Sequence, residues 1–87
     1  MVRMFDMRQK EVINICDGAR LGFVADVEID EECGKIIKII VPGQGKLFGI
    51  FGRDQEFRIP WERIKKMGDD VILVDAEADK ILVGYDD

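Results

Sequence analysis

The chain has no histidine, serine or threonine, and only two cysteines, two prolines and one tryptophan among its 87 residues. Catalysis by an activated nucleophile pairs a hydroxyl or thiol with a base, most often histidine. Here only carboxylates, lysines, one tyrosine and the thiols of Cys16 and Cys33 are available, so no catalytic residues and no enzyme activity are expected. Structural zinc takes four ligands, mostly thiolate or imidazole, and this chain offers two thiols plus carboxylates. No metal or cofactor is therefore expected. No apolar run reaches the roughly 18 residues a membrane span needs, and the start "MVRMFDMRQKEV" lacks the apolar centre of a signal peptide. The expected location is the cytoplasm, without a membrane partner, where Cys16 and Cys33 stay as free thiols.

What is present describes a folded protein. Hydrophobic residues make up 47%, and 13 basic and 18 acidic residues are interspersed along the chain for a net charge of −5. The length predicts a single domain, 1–87. A chain this short buries only about 60% of its unfolded surface, which favours association with another surface. The net negative charge opposes attraction to phosphate, so nucleic acid is not the expected partner. Residues 69–87 hold seven acids against the single base Lys80, so the acidic excess belongs to that end.

Period-two patterns dominate. "KEVINI" (10–15) predicts a strand, and "RLGFVADVEID" (20–30) a longer one with Leu21, Phe23, Ala25, Val27 and Ile29 on one side. Asp17-Gly18 between them predicts a tight hairpin turn with positive φ at both residues. "DEECG" predicts a turn with Gly34 left-handed. It leads into "KIIKIIV" (35–41), apolar on both faces except at Lys38 and therefore central. Pro42 and Pro60 close the strands they follow, because proline donates nothing to a ladder. "WERIKKM" (61–67) predicts one or two helical turns with Trp61, Ile64 and Met67 on one side. "DVILVDA" (70–76) is a further strand, and "KILVGYD" (80–86) either pairs with it or docks on a neighbour. About six short strands with no helix of ordinary length predict an all-β fold, a small barrel or a strongly curled sheet.

"GQGKLFGIFG" (43–52) carries four glycines, which raises the question of a phosphate cradle. Gly43, Gly45 and Gly49 are spaced one residue too long for a dinucleotide fingerprint, and a strand-like, proline-stopped segment follows where a helix is required. "GQGK" is too short for a P-loop and has no Ser or Thr after Lys46. Asp26, Glu28 and Asp30 imitate the start of a calcium loop, but Glu31 stands at the glycine position and Ile37 at the final glutamate position. The glycines instead bend a segment that holds Leu47, Phe48, Ile50 and Phe51. These four either plug a barrel end or form an apolar patch for a second copy or another protein. A competing reading is RNA or ribosome association through Arg53, Arg58, Arg63, Lys65 and Lys66, although strand alternation would scatter them.

Two stretches, "INICDGARLGFVADVEIDEECGKI" and "IVPGQGKLFGIFGRDQEFRIPWERIKKMGDDVILVD", and within the second the order Pro-Gly, glycine-rich loop, Ile-Pro-Trp, Ile-Lys-Lys-Met-Gly, Asp-Val-Ile-Leu-Val, together resemble the PRC-barrel proteins of the YlmC/YmxH type. The similarity covers about residues 7–76, leaving 77–87 as an extension. The resemblance implies a compact PRC-type β-barrel of about six short strands with one short helical turn near residues 61–67. It also implies no established enzymatic activity, and a name tied to sporulation. Related barrels in a ribosome-maturation factor and in the reaction-centre H subunit act as adaptors for other proteins. The implied role is a protein-interaction module, expected to be a homodimer, with Leu47, Phe48, Ile50 and Phe51 as contact candidates and Trp61 packed at the barrel end.

Overall fold

The computed structural model describes residues 1–43 and 55–84. A short helix, α1 (Met4–Met7), precedes strands β1 (Glu11–Asn14), β2 (Ala19–Phe23), β3 (Asp26–Asp30), β4 (Lys35–Pro42) and β5 (Gln55–Pro60). A 3-10 turn (Trp61–Arg63) leads to β6 (Ile64–Met67) and β7 (Val71–Val74), and a second short helix, α2 (Ala78–Ile81), to β8 (Leu82–Gly84). The class is all-β, as the sequence predicts. Two four-stranded sheets carry it, ordered β2-β1-β7-β6 and β3-β4-β5-β8. The core lies between their inner faces. Val12, Ile72 and Val74 of the first sheet and Ile39, Val41 and Ile59 of the second are fully buried, each worth roughly 1.5–3 kcal/mol of burial.

β4 is central, between β3 and β5, as its two-sided apolar pattern requires. Both prolines are the last residues of their strands. Gly18 and Gly34 take positive φ in the two turns, and each donates its N–H back, to the carbonyls of Asn14 (2.7 Å) and Asp30 (2.6 Å) respectively. The first turn is nevertheless not the tight form expected. No non-glycine residue has positive φ among the described residues, and the turn spans Ile15 to Gly18, closed by the Asn14–Ala19 pair, with the Asp17 carboxylate accepting from Ala19 N–H at 3.0 Å.

Residues 20–30 are not one strand with one phase. Val12 faces Gly22 while Ile13 faces Arg20, so Leu21 is an additional residue, a β-bulge. The bulge turns Leu21 into the core and sends Phe23 to the outside, 51% exposed. The chain then crosses to the second sheet through buried Val24, and Ile29 ends 54% exposed. In the 61–67 segment only Trp61–Arg63 is helical. Ile64 and Met67 pair with Val74 and Ile72 of β7, and this tertiary ladder overrides the local helical spacing. Ile64 and Met67 pack on the core, whereas Trp61 is 39% exposed. The last segment pairs with β5, Phe57 opposite Leu82 and Gln55 opposite Gly84, and not with β7. α2 carries the chain between sheets and contributes Ile81 to the core. Leu47, Phe48, Ile50, Phe51 and Arg53 lie outside the described residues.

β1 and β7 run parallel, from Glu11 beside Val71 to Asn14 beside Val74. Asn14 is the one polar residue buried in the described core. Its amide nitrogen donates to the Ala76 carbonyl (2.6 Å), and its oxygen accepts from the N–H groups of Ala76 (3.2 Å) and Cys16 (3.1 Å). Asn14→Ala leaves three backbone groups without that partner and is expected to cost about 3 kcal/mol in urea unfolding. Asn14→Asp is also expected to destabilise, since a carboxylate cannot donate to the Ala76 carbonyl. Wild-type stability in Asn14→Ala would refute this. In the second turn, the Glu32 N–H donates to Asp30 at 3.0 Å, and with Cys33 beside it this holds the Asp30 carboxyl below the usual aspartate range. A depressed folded value contributes stability that is present above the unfolded pKa and lost as pH falls through the folded one. Protection of the Glu32 amide is therefore expected to drop in acid for wild type but not for Asp30→Asn, which keeps the acceptor oxygen without a titrating carboxyl.

Candidate functional site

The outer face of the first sheet follows from the ladder registers. Val12, Asn14, Ile72 and Val74 point inward, so their alternates Glu11, Ile13, Val71 and Leu73 point outward. Glu11 stands between Phe23 and Val71 in one row. In the next, Ile13 stands between Arg20 and Leu73, and Leu73 is followed by Lys66. Ile15, the first residue of the turn after β1, donates its N–H to the Val74 carbonyl at 2.8 Å and is 50% exposed. Ile13, Val71 and Leu73 are half-buried. Five apolar side chains therefore share one face that no described element covers. Glu11 stands within this face and is reached by Arg20 of β2 at 3.8 Å, and exposed Lys65 and Lys66 stand on the β6 side. Other large apolar side chains are exposed elsewhere, Ile29 and Ile37 on the second sheet, Trp61 after it, and Met1, Val2, Met4 and Phe5 near the start of the chain.

A cleft of about 320 Å³ opens at the end of the domain where β1 and β7 finish, lined by Cys16, Arg63, Asp75, Glu77, Lys80 and Ile81 among others. Two cations and two carboxylates balance there. Lys80 Nζ lies 3.0 Å from Glu77, whose carboxylate raises the Lys80 pKa by hydrogen bonding and charge. A raised lysine stays protonated, the reverse of what a lysine base or nucleophile needs. Among the described residues no three Cys, Asp or Glu side chains are placed to hold a metal ion.

Of the basic residues singled out in the sequence, the four that are described sit on different elements. Arg58 is on β5, its Nε 2.6 Å from Glu56. Arg63 lines the cleft, and Lys65 and Lys66 are on β6 in the other sheet. The outer apolar face was missed by the sequence reading. Its signal is "VILV" at 71–74, apolar at successive positions, which belongs to a strand whose second face also meets something apolar.

A family model described as the PRC-barrel domain matches residues 1–81. The chain is 43% identical over 74 residues to the Bacillus subtilis protein named "Probable sporulation protein YlmC", covering 85% of this chain and 91% of that one. It is 44% identical over 71 residues to an uncharacterised protein of Clostridium acetobutylicum, covering 82% and 80% respectively. It is 34% identical over 76 residues to the uncharacterised protein YmxH of Bacillus subtilis, covering 85% and 88%.

Proposed function

Because the chain belongs to the PRC-barrel domain family, we propose that it is a non-enzymatic module that works by holding another protein in the cytoplasm. Its role in sporulation is proposed by similarity to the relative named for that process. The observation that carries the reading is the outer face of the first sheet, where Phe23 and Ile15 are half exposed beside Ile13, Val71 and Leu73. Leaving such side chains in water forgoes burial worth about 25 cal/mol per Å², and a contiguous uncovered group of them favours a contact. The chemistry is consistent with this. The sequence supplies no histidine, serine or threonine, and the cleft lysine is tuned away from a basic role. The same proposal assigns Leu47, Phe48, Ile50 and Phe51 to contact with a second copy.

Photo-crosslinking in the native cell tests the first contact. A photoreactive residue at position 15 or 23 is expected to trap another protein, while one at Glu28, on the edge strand of the other sheet, traps at least about tenfold less. Equal yields from all three positions, or none, would sink the reading. For the second contact, sedimentation is expected to show a dimer that the Phe48→Ser, Phe51→Ser double variant turns into a monomer. A wild-type monomer across the micromolar range would remove the dimer from the proposal.

A further inference from the structure

We infer that the outer face of the first sheet receives an amphipathic helix of about three turns from its partner, with acidic residues along the flank that lies over β6. The inference rests on the protein-contact reading above and adds the chemistry of the partner. The footprint is small. Four strands about 4.8 Å apart span about 14 Å between outer axes, and strands of four or five residues run about 15 Å. The flat area, about 200 Å², falls well short of the roughly 800 Å² per partner of a standard stable interface. A footprint of this size is filled by one short element of a partner rather than by the broad face that a stable dimer buries. A helix about 10 Å wide, rising 1.5 Å per residue, covers the same length with about ten residues.

An extended segment fits less well. Laid on a sheet face it would bury backbone groups without ladder partners, whereas a helix satisfies most of its own. The edges of this sheet are also poor templates for strand addition. β2 is bulged at Leu21 and β6 at Lys65, and β6 presents Lys65 and Lys66. Charge then sets the flank. Glu11, Arg20, Lys65 and Lys66 sum to +2 on a chain of net −5. Arg20 already meets Glu11, while Lys65 and Lys66 have no ion pair among the described residues. An acidic flank over β6 complements the two lysines, and a basic one is repelled.

The test is selection of a displayed random library of 16-residue peptides on the whole chain, with counter-selection on the Ile15→Glu, Phe23→Glu double variant. Both positions are half exposed and outside the core, and thermal melting of the double variant is the check that it folds. The expected result is enrichment of peptides with apolar residues at i, i+3 or i+4 and i+7 and an excess of Asp and Glu. Their affinity is expected to fall at least about fivefold in the Lys65→Glu, Lys66→Glu variant, and to weaken with salt. That variant changes exposed side chains only, so it keeps the test decisive if the double variant unfolds. Enriched peptides with alternating apolar residues or excess Lys and Arg would overturn the inference. So would equal retention by wild type and double variant, no enrichment, or self-association that the double variant abolishes. Crosslinks from positions 15 and 23 alongside a failed selection would remove the helix and keep the contact; no crosslinks would remove both.

Discussion

The parallel pairing of β1 with β7 is the constraint on which the rest of the fold depends. It joins residues about sixty positions apart, a contact whose loop-closure cost is met before any reward arrives. The reward is concentrated at one end of the pair. Asn14, fully buried, grips both backbone groups of Ala76 and the N–H of Cys16, while Val12, Ile72 and Val74 fill the space beneath. Once β1 and β7 are side by side, β2 is added by a turn on one side and β6 by another on the other.

The same pairing makes the candidate site. Ile13 and Leu73 are neighbours only because β1 and β7 are in register, and Val71 and Ile15 extend that apolar group along the strands. On the inner side the second sheet covers the equivalent surface with Ile39, Val41 and Ile59. On the outer side no described element does so. A small domain has little interior in which to hide apolar area. Here part of it lies on the uncovered outer face of the first sheet, while Met1, Val2, Met4, Phe5, Ile29, Ile37 and Trp61 are exposed elsewhere. The cleft at the end of β1 and β7 differs in character. Its Lys80 is paired with Glu77, and Arg63 and Asp75 line it as well.

Much of the fold is legible in local patterns. The alternation of "KEVINI", the two-sided apolar run of "KIIKIIV", the glycines at 18 and 34 and the terminating prolines each have a local physical cause, and each matches an element. The errors have a common origin in pairing. The bulge at Leu21 reverses the side on which Phe23 falls, the ladder to β7 converts Ile64–Met67 from a helical turn into a strand, and β8 leaves β7 for β5. The site was harder to see than the fold. Arg58, Arg63, Lys65 and Lys66 are close in sequence but divided between sheets and the cleft, whereas Phe23, Ile13 and Leu73, spread over the chain, share one surface.

By itself the amino-acid order determined the all-β class, the places where the chain turns, the poverty of catalytic groups and the membership of a family, because each rests on residue type and short spacing. Only the tertiary structure decided which strands are neighbours and therefore which side chains stand together. A ladder partner can come from anywhere along the chain, and one additional residue in a strand reverses the face of every side chain beyond it.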